Sequence, residues 1–248
     1  MTNALSTNVN YLKLYFGDDW KVNEYITVKH PRIQDVIDMG EQEYYSMIYT
    51  LCSIPSDMKS KLFDAGIDYE EISDFELFVL LTRNMNKDIT FPVLGELDLS
   101  DFKVTNNPDN EDLILRKGDI IIDKFIYQRI IDYIRTMHYI KPKIEHAANK
   151  WTKKVLIEDD RNRIAINAKK PYSSTLLPLI SSMVNSEGFK YKPNELKEVP
   201  IYQFMDSVQR IQAIKTATAL LHGAYCGMCD LSKIPQEEFN WMRDLTKK

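Results

Sequence analysis

Between residues 122 and 138, apolar side chains return every three or four positions: Ile122, Phe125, Ile126, Ile130, Tyr133, Ile134 and Met137, with Arg129 the one polar member of the series. That spacing predicts an amphipathic helix whose apolar face must be buried against other elements. A chain of 248 residues is long enough to bury such a helix in one large domain or in two smaller ones. Only 8 of those residues are glycine, so few positions supply positive φ at no cost. A many-stranded sandwich and a Gly-rich nucleotide loop are both disfavoured. A hydrophobic fraction of 44% says that the chain folds.

The rest of the sequence reads as a mainly α fold, a multi-helix body with a small β-hairpin or meander insertion. Residues 11–16 alternate loosely and end in a Gly17-Asp18-Asp19 turn. Residues 25–28 are β-like and pair with the preceding segment as a hairpin. Pro31 suits the first position of a helix ending at Gly40. A second helix covers residues 41–52. Ser56 reads as the N-cap of a short helix running through Phe63 and closed by Gly66, and Ser73 with Glu76 forms a capping box for a buried helix over residues 75–81. Residues 89–99, 102–104 and 113–115 are β-capable, with a loop over residues 106–110 and a Lys117-Gly118-Asp119 turn.

Further helices are expected over residues 147–168, 174–184, 200–221 and 237–245. The first carries a thin stripe of Val155, Leu156, Ile164 and Ile166. The third, the longest, carries Ile201, Phe204, Met205, Val208, Ile211, Ile214 and Leu221. Phe239 and Trp241 anchor the last.

Charge divides the chain. Residues 1–120 hold 11 basic against 22 acidic side chains, and residues 121–248 hold 21 against 14, so balances of −11 and +7 make up the net −4. The expected organisation is an acidic helical lobe with short strands over residues 1–110 and a basic helical lobe over residues 111–248, either separate or merged in one domain. Lobes of opposite sign dock on each other, or copies of a polar molecule stack head to tail, or the basic half meets an acidic partner.

Recognisable catalytic signatures are absent: no G-x-S-x-G, no P-loop, no G-x-G-x-x-G and no H-E-x-x-H. His222-x3-Cys226-x2-Cys229 offers three ligand-type side chains where zinc wants four, and it follows a helix C-terminus, the wrong end for lowering a thiol pKa. Buried or turn cysteines are the simpler reading. The pairs Asp18-Asp19, Glu70-Glu71 and Glu158-Asp159-Asp160 are adjacent in sequence and read as solvated surface. His30, His138, His146 and His222 are scattered and read as surface or cap residues. No catalytic, cofactor-binding or metal residue is therefore assigned, and the chain is read as a non-enzyme without a cofactor.

One cluster reads as an interaction surface: Lys150, Trp151, Lys153, Lys154, Arg161 and Arg163, in a basic stretch that begins with Lys141 and Lys143. Cations interleaved with an aromatic can track a phosphate backbone. Glu145, Glu158, Asp159 and Asp160 interrupt the row, which ranks nucleic acid below a protein contact.

No stretch approaches the roughly 20 apolar residues of a membrane span. The first ten residues lack the basic and apolar regions of a signal peptide. Three cysteines are too few for a disulfide scaffold and fit a reducing cytoplasm.

Two sets of stretches together resemble a known group. The first is Tyr11-Leu-Lys-Leu-Tyr-Phe-Gly17, His30-Pro-Arg-Ile-Gln-Asp35, Gly40-Glu-Gln-Glu-Tyr-Tyr45, Ile54-Pro-Ser-Asp-Met-Lys59 and Asp68-Tyr-Glu-Glu-Ile-Ser-Asp-Phe-Glu76. The second is LLPLISSMVNSEGFK at residues 176–190, YQFMDSVQRIQ at 202–212, Tyr225-Cys-Gly227 and Asn240-Trp241. They resemble proteins encoded among the tail genes of long-tailed phages and prophages of Gram-positive bacteria. The resemblance implies a tail assembly chaperone or a tail or baseplate component. Its expected partners are the tape measure, tail tube or baseplate proteins and further copies of itself. Its expected location is the bacterial cytoplasm or the virion, and the resemblance brings no catalytic residues with it.

Overall fold

Asn10 starts the first helix, because its side-chain oxygen accepts the backbone N–H groups of Leu12 and Lys13 at 3.1 and 3.2 Å. The computed structural model describes residues 9–108, 110–228 and 230–245, and these are mainly helical, with a small two-sheet set of short antiparallel strands. Helix α1 (Tyr11–Phe16) replaces the extended segment expected from loose alternation: the cap at Asn10 and Gly17 at φ 75° outweigh a pattern only six residues long. The next residues form the expected hairpin, β1 (Trp20–Lys21) with β2 (Thr27–Val28), Trp20 opposite Val28.

Helix α2 (Ile33–Met39) begins two residues later than Pro31 suggested. Pro31 and Arg32 are held extended by a strand-like bridge, in which Ile201 N–H donates to the Pro31 carbonyl at 3.0 Å and Ile33 N–H to the Val199 carbonyl at 3.1 Å. That long-range pairing overrides the preference of proline for the first helical position. Gly40 then separates α2 from α3 (Glu41–Cys52), as expected.

Ser56 does not cap the following helix. It lies in a 3₁₀ turn (Pro55–Asp57), where its hydroxyl accepts the Glu145 N–H at 3.0 Å, and α4 (Lys59–Asp64) starts after it. Helix α5 (Asp74–Thr82) carries the expected capping box: Glu76 N–H donates to the Ser73 hydroxyl at 3.2 Å and Ser73 N–H to the Glu76 carboxylate at 2.8 Å. Phe75, Leu77, Phe78 and Val79 are buried.

The β-capable run at residues 89–99 is not a strand. Asn86 caps α6 (Lys87–Leu94), its side chain accepting the Ile89 N–H at 3.2 Å, and a 3₁₀ turn (Leu99–Asp101) follows. Ile, Phe and Val raise β-propensity, but propensity is weak where a cap fixes the chain and Val93 and Leu94 find the core. The meander comes later: β3 (Lys103–Asn106), β4 (Leu113–Lys117) and β5 (Ile120–Ile122), paired in that order, with Val104 opposite Leu115 and Leu115 opposite Ile122. Ile122 belongs to β5, so α7 (Lys124–Met137) begins behind the Asp123 cap. Ile130, Ile131, Tyr133 and Ile134 of α7 sit at the centre of the main core.

The remaining helices are α8 (Lys150–Ala168), α9 (Leu176–Val184), α10 (Pro193–Leu196), α11 (Ile201–Tyr225) and α12 (Gln236–Phe239). Helix α8 starts behind an Asn149 cap, three residues after the expected beginning. Pro178 is tolerated at the third position of α9, where its missing N–H would have no intrahelical acceptor. On α11 the expected stripe is only partly right. Ile201 and Phe204 are buried, whereas toward the C-terminal end the buried positions are Ala213 and Ala217, and Ile214 is exposed. Helix α12 folds back against α11. The last helix stops at Phe239, and Leu245 is the buried anchor rather than the exposed Trp241.

One cluster of buried side chains runs from Leu14 to Phe204 and draws on residues both before and after position 110. A second, small cluster joins Leu62, Tyr69, Leu77 and Ile157 under α8.

Candidate interaction surface

Helix α8 meets the body through very little of its surface. Ile157 and Asp160 are its only buried residues, and Val155, Ile164 and Ile166 of the expected stripe are exposed. Asp160 is not a solvated carboxylate as its neighbours suggested. It accepts Ser60 N–H at 3.0 Å, the Ser60 hydroxyl at 2.7 Å and an Arg163 N–H at 2.6 Å, and so caps α4 from a different helix. Burial alone would raise its pKa, but the bonds from Ser60 and Arg163 hold it below the ordinary value.

The basic row on α8 is largely committed within the chain. Lys153 Nζ lies 2.6 Å from Asp68 and 2.7 Å from Glu70, and 5.1 Å from the centre of the Tyr69 ring. Arg161 pairs with Asp64 at 2.6 Å and Glu158 at 2.7 Å, and Arg163 with Asp160. Lys143 and Lys59 both reach Glu145, whose pKa these bonds pull down to about 2. The acidic and basic halves of the sequence thus meet inside one subunit. Lys150 and Lys154 make no ion pair among the described residues, and Trp151 between them is 74% exposed.

Beside these free lysines a groove of about 340 Å³ opens between α4 and α8. Phe63, Ile67, Tyr69 and Ile157 form its apolar side, and Lys150, Lys153 and Lys154 its basic side. Gly66, at φ 75°, ends α4 at its edge. The sequence offers the lysines through their helical spacing. It gives no sign of the apolar side, because Phe63, Ile67 and Tyr69 lie about 90 positions earlier in no periodic pattern.

Two of the four histidines are buried rather than at the surface. His30 Nε2 lies 2.7 Å from the Tyr133 hydroxyl, and His138 Nε2 lies 2.7 Å from the Tyr44 hydroxyl. His138 Nδ1 lies 2.8 Å from the Ile134 carbonyl, an acceptor only. Nδ1 therefore carries the proton and Tyr44 donates to Nε2. Burial is the main cause that lowers both histidines to about 4. Cys52 is buried and its thiol is pushed up to about 12 by that burial; Cys226 is exposed in the turn after α11. Cys229 lies outside the described residues, as does any arrangement that depends on it. Among the described residues no three His, Cys, Asp or Glu side chains come together as metal ligands.

A second groove, of about 520 Å³, lies between α3, α9 and α11, lined by Tyr45, Tyr49, Tyr172, Leu179 and Met205. Glu41 borders it and holds the start of α9. Partial burial works against its ionisation, but bonds from Ser174, Leu176 and Thr175 pull its pKa down to about 2.

Large apolar side chains are exposed at the ends of the two long helices. Ile166 is 57% exposed near the end of α8, and Tyr225 and Met228 are 87% and 88% exposed at the end of α11. Met242 lies exposed in the segment after α12. No helix among the described residues is long and apolar enough to cross a membrane.

A family profile described as the YomV second domain matches residues 168–246, from the last residue of α8 through α9 to α12. YomV is a phage-region protein in Bacillus, and the match marks this chain as phage-associated. Of the stretches that carry the resemblance drawn from the sequence, those at 176–190, 202–212, 225–227 and 240–241 lie inside the matched region, and those between residues 11 and 76 lie outside it. No curated protein and no solved structure matches the chain.

Proposed function

We propose that this chain is a non-enzymatic protein of phage tail morphogenesis, acting through protein–protein contacts as an assembly chaperone or as a tail or baseplate component. The observation that carries the reading is the set of large apolar side chains left in solvent at or just beyond the C-terminal ends of α8 and α11, Ile166, Tyr225 and Met228. Covering these side chains with a partner would remove apolar surface from water, which favours association. The phage association supplies the setting, and the likeness to tail-cluster proteins supplies the stage of assembly. Tape measure, tail tube or baseplate proteins are the partners, with further copies of the chain as another. Mass spectrometry of purified particles and of tail intermediates tests this. A fixed copy number in particles marks a component. Presence in intermediates but not in particles marks a chaperone, and absence from both overturns the proposal.

Nucleic-acid binding is the second reading, favoured by Lys150, Trp151 and Lys154, which are exposed and form no ion pairs among the described residues. It ranks lower because Lys153, Arg161 and Arg163 already neutralise carboxylates of the same chain. Binding of a labelled oligonucleotide that weakens steeply with salt supports it, and no binding at low ionic strength removes it.

A further inference from the structure

The groove between α4 and α8 combines two properties that seldom meet on a solvated helix face. Its floor is apolar, built by Phe63, Ile67, Tyr69 and Ile157, and its rim carries two cations that form no ion pair among the described residues, Lys150 and Lys154. These lysines are four residues apart and therefore share one face of α8. At about 340 Å³ the space lies at the small end of ligand sites, which run from roughly 300 to 1,000 Å³, and suits one large side chain rather than a fused-ring cofactor.

We infer that this groove docks an acidic segment of a partner protein, which inserts one aromatic or branched aliphatic side chain between α4 and α8 and places carboxylates on Lys150 and Lys154. Charge complementarity selects the occupant. The neighbouring cations of α8 are already satisfied by carboxylates: Lys153 by Asp68 and Glu70, and Arg161 by Asp64. The two free lysines thus continue a pattern of carboxylate pairing.

A phosphate backbone fits the same place poorly. Lys153, Arg161 and Arg163 are already taken up by carboxylates of the chain, and Asp159 follows on α8, so a continuous anionic strand finds only Lys150 and Lys154 free. A peptide needs no continuous cationic track, because it presents separate carboxylates around a single apolar anchor. Phe63, 55% exposed at the lip, extends the apolar contact outward.

This inference rests on the reading that the chain works through protein contacts, and it names the chemistry of one of them. The test is fluorescence anisotropy of a labelled hexapeptide, Asp-Glu-Phe-Leu-Asp-Glu, titrated with the intact protein at low ionic strength. The same peptide with serine in place of its two apolar residues and a labelled thymidine oligonucleotide serve as comparisons. The wild-type protein is expected to bind the first peptide and to weaken by roughly tenfold in the Lys150→Glu/Lys154→Glu variant and by a similar factor with the serine peptide. Both replaced lysines are exposed, so an unchanged circular-dichroism melt separates loss of binding from loss of fold. No binding of the acidic peptide, binding indifferent to the double variant, or lysine-dependent binding of the oligonucleotide in place of the peptide overturns the inference. Absence of the protein from tail particles and intermediates leaves this titration untouched, so the two readings fail separately.

Discussion

The carboxylate of Glu41, at the first position of α3, accepts a hydrogen bond of 2.8 Å from the backbone N–H of Leu176, the first residue of α9. The same carboxylate accepts Thr175 N–H and the Thr175 hydroxyl, each at 2.8 Å, and the Ser174 hydroxyl. A side chain 135 residues away in sequence thus serves as the cap of α9 and fixes the start of the phage-related region against the N-terminal part of the fold.

Glu41→Ala is expected to cost about 1–2 kcal/mol, as loss of a helix cap does, and to lower Tm by roughly 2–4 °C for each of these kcal/mol in a chain of this size. Differential scanning calorimetry measures the shift. Glu41 is held at about 2, below its ordinary 4.5. Its contribution is therefore complete above pH 4.5 and is lost as the pH falls through about 2. A variant melting like the wild type at pH 7 contradicts the capping role.

His30 and His138 also lose their contribution as pH falls, but in the next higher part of the pH scale. Both are lowered from 6.5 to about 4 by burial, so the unfolded chain takes up protons before the folded one. Stability is complete above pH 6.5 and falls between 6.5 and about 4, by roughly 2 kcal/mol for each histidine from pH 7 to pH 5. Urea denaturation at the two pH values reads this directly. The double variant His30→Gln/His138→Gln is expected to lose most of that pH dependence even if it is less stable overall.

Two glycines in the same backbone region should respond differently. Gly17 and Gly66 both have φ of 75°, but a Cβ on Gly17 lies 2.6 Å from Cγ of Pro200, in a ring that cannot turn aside, whereas a Cβ on Gly66 meets open space. Gly66→Ala is expected to cost about 1–2 kcal/mol from backbone strain alone. Gly17→Ala adds a clash and is expected to cost roughly twice as much. Equal denaturation midpoints for the two variants contradict the close packing of α1 on the start of α11.

Tyr127 packs between Phe75 and Phe78, with ring centroids 5.3 and 4.9 Å away, yet its hydroxyl is buried without a hydrogen-bond partner among the described residues. Tyr127→Phe removes an unsatisfied polar group and keeps the ring. It is expected to leave stability unchanged or to raise it by about 1 kcal/mol. A loss of that size in chemical denaturation identifies a hidden partner for the hydroxyl.

How far the sequence revealed the fold depended on where the deciding interactions lie. Helices carried by their own apolar period or their own cap were legible, such as α7 through Ile130 and Ile134 or α5 through Ser73 and Glu76. Segments decided by distant partners were not. The start of α2 is set by the bridge from Arg32 to Pro200, and α4 is capped by Asp160 from another helix. The run at residues 89–99 misled because β-branched and aromatic residues signal half-buried surface, which a capped helix also supplies. Similarly, the cationic side of the groove is visible as Lys150 and Lys154 at helical spacing. Its apolar side comes from Phe63, Ile67 and Tyr69, brought there only by the packing of α4 on α8.

The central claim is that exposed surfaces of this chain act in building the phage tail. The most direct measurement is complementation in a bacterium carrying the phage, with the gene deleted and particles counted and imaged by electron microscopy. Wild-type protein is predicted to restore normal tails, and the exposed-surface variant Ile166→Asp/Met228→Asp, folded by its circular-dichroism melt, is predicted not to. Normal tails and normal titre in the deletion itself contradict the account.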